Sequence, residues 1–181
     1  MRRILFYFLL LFLNSCIPLS VAPTISEYKI TKAKRFKRDL PKVYGFIIED
    51  RKDADEFYHF INLKYDLGHL NVETNVPFQI DGRFFYLSFF EREKVTRTLN
   101  LIPIFVDAKL ASDESDPLLE EHHSSRIGKW YIIITVADEQ MEDALASEYE
   151  LREKVIQYLK DLKEEYYSTD NYMEAYLKGK N

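Results

Sequence analysis

The chain has 181 residues, with 25 Lys and Arg against 30 Asp and Glu, a formal charge of −5 and a single cysteine. That length suits one domain with a full core, the acidic balance argues against nucleic acid as a partner, and one cysteine excludes an intramolecular disulfide. Aromatic residues make up 15% of the chain, with 13 Tyr and 13 Phe, which points to a folded, aromatic-rich core and not to a disordered tail.

The first element has the three parts of an export signal: Arg2 and Arg3, an unbroken apolar run over 4–13, and the small Ser15 ahead of Cys16. A bilayer core takes roughly 20 apolar residues in a helix, so this run is too short for a permanent span and suits a cleaved segment. Leu13-Asn14-Ser15-Cys16 resembles the lipobox of bacterial lipoproteins, with Asn14 a less usual occupant of its place. The resemblance implies cleavage between Ser15 and Cys16, a thioether-linked diacylglyceryl group on the Cys16 thiol, and often acylation of the freed amine. Two or three acyl chains hold a protein on a membrane where one holds it only marginally. The plainer reading is a secretory signal with a chance cysteine, which leaves Cys16 as a free thiol. Removal of 1–15 takes away two arginines and no acid, so the remainder carries a formal charge of −7.

Residues 17–24 are uncharged and contain Pro18 and Pro23, as expected of an extended tether. Lys29, Lys32, Lys34, Arg35, Lys37, Arg38 and Lys42 then form a basic cluster in an otherwise acidic chain. It reads either as a contact with anionic headgroups or as a solvated, partly extended arm, and spacing alone does not separate the two. The expected organisation is therefore a signal over 1–15, a lipidated N-terminus, tether and basic arm over 16–41, and a single domain over 42–181.

Val43, Tyr44, Phe46, Ile47 and Ile48 predict a buried strand. Asp50 is placed to cap a helix over 51–67, with Ala54, Phe57, Tyr58, Ile61 and Tyr65 on its core face and Gly68 as its stop. Asp81-Gly82 between two apolar segments predicts a two-residue hairpin. Phe78, Ile80, Phe85, Leu87 and Phe89 then share one face, and Phe84, Tyr86 and Phe90 the other, a two-sided aromatic hairpin whose second face calls for cover. A further strand is expected over 94–110, interrupted by Pro103, and the strongest alternation, over 126–137, predicts a central strand. A long amphipathic helix is expected over 142–167 on the stripe Leu151, Val155, Tyr158, Leu159, Leu162 and Tyr166, followed by a short terminal helix over 168–181.

Residues 112–125 carry Asp113, Glu114, Asp116, Glu120, Glu121, His122 and His123 and are the place to look for metal or acid–base chemistry. Their spacing matches neither a calcium loop nor a two-histidine zinc helix, and adjacent histidines on an extended chain point to opposite sides. His59 and His69 are isolated in sequence. Neither a glycine-rich phosphate loop nor a Gly-x-Ser-x-Gly elbow is present, and no catalytic residue, cofactor or metal ligand is assigned.

These elements predict an α+β fold: a largely antiparallel sheet of about four to six strands, a helix after the first strand, and a long C-terminal amphipathic helix packed on the sheet. Their order loosely resembles the PsbP-like sandwiches. In composition, and in the stretches Asp55-Glu56-Phe57-Tyr58-His59-Phe60-Ile61-Asn62 and Phe89-Phe90-Glu91-Arg92-Glu93-Lys94, the chain resembles uncharacterised lipoproteins of Bacteroidota, flavobacteria in particular. The implied location is the cell envelope, lipid-anchored, in the outer membrane facing the periplasm. Ile17 stands where an aspartate is associated with inner-membrane retention, and the acidic surface-export signal of such lipoproteins is missing from 17–24. The leading functional expectation is a non-catalytic interaction or structural domain anchored through Cys16, with an envelope protein or lipid as partner. A carrier with an aromatic pocket between sheet and helix is the second, and a metal-dependent hydrolase at His122 and His123 the third.

Overall fold

The computed structural model describes residues 16–52, 55–100 and 124–169. The chain divides into two compact units, Met1–Pro23 with Glu93–Lys129, and Thr24–Arg92 with Trp130–Asn181. The strands are β1 (Cys16–Ser20), β2 (Lys29–Lys32), β3 (Tyr44–Asp50), β4 (Val76–Ile80), β5 (Arg83–Asn100) and β6 (Ser124–Asp138). The helices are α1 (Ala33–Phe36), α2 (Glu56–Lys64) and α3 (Arg152–Ser168). The fold is α+β, and the pairings of β1 with β5, β2 with β3, β3 with β6 and β4 with β5 are all antiparallel.

In the first unit, β1 pairs with the far half of β5 from Cys16 opposite Asn100 to Ser20 opposite Arg97, with a bulge between Pro18 and Ser20. Ala22 N–H donates to Thr96 Oγ1 at 3.0 Å. The stretch expected to be a tether is thus taken up in part by strand pairing, its Cys16–Ser20 portion adding an edge strand to β5.

In the second unit the strand order is β4–β5–β6–β3–β2. The hairpin of β4 and β5 forms as its sequence requires. Ile80 pairs with Arg83, and Asp81 and Gly82 take φ of 51° and 79°, the two positive values of the turn that matches strand twist. Pro77 lies opposite Tyr86, at a site between the hydrogen-bonded pairs counted from that turn, so the edge strand carries it without losing a ladder bond.

β6 lies between β5 and β3 and is buried on both faces, as a central strand demands. Ile132, Ile134 and Val136 join Phe46, Ile48, Phe78, Phe85, Leu87 and Phe89 in the main core, against Phe57, Phe60 and Ile61 of α2 and Val155, Ile156, Leu159, Leu162 and Tyr166 of α3. The aromatic rings there fill space against one another. Phe78 stacks on Tyr158 at 4.3 Å between centroids, and Phe57 meets Phe89 and Tyr166 edge-on at 4.8 and 5.0 Å.

Three boundaries differ from expectation, the first being that β5 runs unbroken from Arg83 to Asn100 and so joins the hairpin to the strand expected from 94. β3 runs through Asp50, whose Oδ1 accepts the Lys52 N–H and the Tyr166 hydroxyl at 3.1 and 3.0 Å. Asp50 therefore does not cap a helix; α2 begins at Glu56 after Asp55, which holds a left-handed φ of 68°. α3 begins at Arg152 and not near 142, because Asp138 and Asp143 capture backbone N–H groups of 140, 142 and 145 and hold the segment in turns.

The basic stretch is the larger difference. It is not a solvated arm ahead of a domain starting at Lys42. β2 pairs with β3 from Lys29 opposite Ile47 to Lys32 opposite Tyr44, and Ala33 N–H donates to Val43 O at 2.8 Å. Ile25, Ala33, Phe36 and Leu40 form a second core on the other face of the sheet with Ile47, Tyr131 and Ile133. Phe36 meets Tyr131 edge-on at 5.1 Å. Gly45 is required beneath this layer, since a Cβ there would stand 2.8 Å from Ile133 Cγ2. Residues 24–41 are thus a packed layer of the second unit.

Candidate functional site

A cleft of about 710 Å³ opens in the second unit where β3 begins and β6 ends. Its walls carry Lys32, Lys42 and Arg83, the acids Asp138, Glu142, Asp143, Glu148 and Glu150, and the phenols Tyr44 and Tyr149.

Asp138, 3% exposed at the end of β6, organises the floor. Its Oδ1 accepts the N–H groups of Gln140 and Glu142, both at 2.9 Å, and its Oδ2 accepts the Tyr149 hydroxyl at 2.9 Å. Burial pushes the Asp138 carboxyl up, but the bonds from Glu142, Tyr149 and Gln140 outweigh it and hold the group below the usual carboxylate range. Burial, followed by the bond to Asp138, pushes the Tyr149 phenol up to about 12, so it stays protonated at neutral pH. Arg83 reaches the same hydroxyl at 3.5 Å and Glu150 at 3.7 Å. Asp143 Oδ2 accepts the Tyr44 N–H at 2.7 Å and so ties the turn to β3.

Asp138 and Asp143 are committed to holding the turn. The remaining groups offer donors, acceptors and both signs of charge on a pinned backbone, which equips the cleft to hold and orient a polar ligand. It is distinct from an aromatic pocket between sheet and helix, because the aromatic residues of that interior are packed in the main core.

A second cluster of carboxyl groups lies around Asp50 and Glu91. Glu91 Oε1 is buried with no hydrogen-bond partner among the described residues, while Oε2 accepts the Asp55 N–H at 3.4 Å. Burial pushes Glu91 above the usual range, and Asp50, Asp55 and Glu73 add to the rise. Burial also raises Asp50, against bonds from Lys52 and Tyr166.

Of the residues singled out from sequence, Cys16 is the first residue of β1. Ser15 and the apolar run before it lie outside the described residues, as do the acidic stretch 112–123 with His122 and His123, the strand segment 101–110 and the terminal segment 170–181. His69 is held by Asn62, whose Oδ1 accepts its N–H at 2.7 Å, and its ring stacks on Tyr58. His59 also packs against Tyr58. Among the described residues no group of three or more His, Cys, Asp or Glu side chains is placed to hold a metal ion, and no helix is long and apolar enough to cross a membrane.

Sequence reasoning passed over Asp138, Asp143 and Tyr149. The available signal was the pair of aspartates breaking an otherwise helical pattern over 142–151, a sign of side chains competing for backbone N–H groups. No protein-family model, no curated protein and no solved structure matches the chain.

Proposed function

We propose that the chain is an envelope lipoprotein, cut between Ser15 and Cys16 and held through acyl groups on Cys16, whose α+β domain is a non-catalytic interaction module. The observation that carries this reading is Leu13-Asn14-Ser15-Cys16 at the end of a short apolar run behind Arg2 and Arg3. Placement in the outer membrane, facing the periplasm, follows from Ile17 and from the absence of an acidic stretch over 17–24. In this reading α2, after the first core strand, and the C-terminal α3 close one face of the sheet and make a rigid body for a partner. Cell fractionation tests it: wild type belongs in the membrane pellet and resists extraction by salt and carbonate, whereas Cys16→Ser leaves the lipid-anchored pool. Equal, extractable distribution of the two would overturn the anchor.

The cleft around Asp138 and Tyr149 favours a second reading, a carrier for a small polar ligand. Its lining matches a zwitterion or a polyhydroxylated compound and not an acyl chain. Stabilisation of wild type but not of Arg83→Ala by one member of a panel of such compounds would support it.

A further inference from the structure

We infer that the layer over Lys29, Lys34, Arg35, Arg38 and Lys42 is a second membrane contact, which seats the domain on anionic phospholipid headgroups of the bilayer holding the anchor. Elsewhere in the second unit Lys64, Arg83, Arg92, Arg152, Lys154 and Lys163 each form an ion pair, while Arg51 and Lys160 form none among the described residues. The five named residues of the layer are exposed, and none has an ion pair among the described residues. In a chain where acids outnumber bases, five such cations within fourteen residues are not a matter of supply. Of the layer's two acids, Glu27 and Asp39, Asp39 pairs with Arg92 outside the layer.

The layer is also fixed. Ala33, Phe36 and Leu40 anchor it on the sheet while Lys34, Arg35 and Arg38, interleaved with them, face solvent. The charges are therefore presented together without the ordering cost of a flexible arm. Lys29 lies thirteen residues after Cys16, so roughly 47 Å of chain is the upper limit on its distance from an anchored lipid. Each basic residue near an anionic surface strengthens binding about fivefold, and the effect fades beyond a Debye length of about 8 Å at physiological salt.

The inference rests on the anchor reading only for which bilayer is met, and the test separates the two. Full-length protein with Ser26→Cys is expressed and processed, its N-terminus read by intact mass, and a donor dye placed on the new thiol. It is then reconstituted in vesicles of phosphatidylcholine alone or with a one-third share of phosphatidylglycerol, each with a headgroup acceptor dye. Transfer is expected to be higher on the anionic vesicles, and that difference is lost in molar salt and in Lys34→Glu/Arg35→Glu/Arg38→Glu. It is retained in Lys154→Glu/Lys160→Glu/Lys163→Glu, which changes net charge equally. The neutralised Lys34→Gln/Arg35→Gln/Arg38→Gln, with wild-type circular dichroism, guards against misfolding and should also lose it. Equal transfer on both vesicles, or equal loss in both charge-reversal sets, overturns the inference. If intact mass shows no acyl chain, the anchor reading fails, and flotation of the same unlabelled protein still decides the surface: binding to anionic vesicles alone supports it, and binding to neither or both overturns it.

Discussion

Tyr149 donates its hydroxyl to Oδ2 of Asp138 at 2.9 Å, closing eleven residues of turn onto the end of the central strand. Asp138 Oδ1 holds the N–H groups of Gln140 and Glu142 at the same time, so one buried carboxylate satisfies three donors. Tyr149→Phe removes one partner and should lower stability by about 1 kcal/mol, and Asp138→Ala, which orphans all three donors, by about 2–3 kcal/mol. Because the folded Asp138 is held below the ordinary range, its contribution is present above the unfolded carboxylate pKa and is lost as pH falls through the folded value. Urea unfolding across acid pH checks this: Asp138→Asn should flatten that loss, and an unchanged acid limb would detach Asp138 from it.

Glu91 has the opposite sign. Its carboxyl is raised by burial and by Asp50, Asp55 and Glu73, so protonation favours the folded state. Its contribution is complete below the unfolded pKa and is lost as pH rises through the folded one. Glu91→Gln keeps an acceptor for the Asp55 N–H and removes the charge from the buried Oε1. The variant should melt above wild type at neutral pH and converge with it below the ordinary carboxylate range, roughly pH 4. A constant difference across pH would show that charge at Glu91 is not the cause.

Phe36 decides whether the basic stretch belongs to the fold. It is 7% exposed between Tyr131 and the rest of the second core. Phe36→Ala should cost about 3 kcal/mol, whereas Arg35→Ala, one residue away and exposed, should stay within about 0.5 kcal/mol. Denaturant titration of the two reads the contrast, and equal, small effects would return the segment to a solvated arm.

What was legible in the sequence was written in local pattern. Asp81-Gly82 with alternating aromatics specified the hairpin, the alternation through Trp130 to Val136 specified the central strand, and the spacing of Val155, Leu159, Leu162 and Tyr166 specified the buried face of α3. What was not legible depended on partners distant in the chain. Ala33, Phe36 and Leu40 are separated by basic residues and become a core only against Ile47, Tyr131 and Ile133. The cleft joins Lys32 to Tyr149 through a sheet end that no single stretch encodes. Helix propensity over 142–151 gave way to aspartate side chains that bind the backbone first.

The N-terminal peptide of the processed protein is the most direct witness to the central claim. Mass spectrometry of that peptide should show a chain beginning at Cys16 and carrying a diacylglyceryl thioether, with or without an amide-linked acyl group, and Cys16→Ser should lack it. A chain beginning elsewhere, or an unmodified Cys16 thiol at a mature N-terminus, would contradict it.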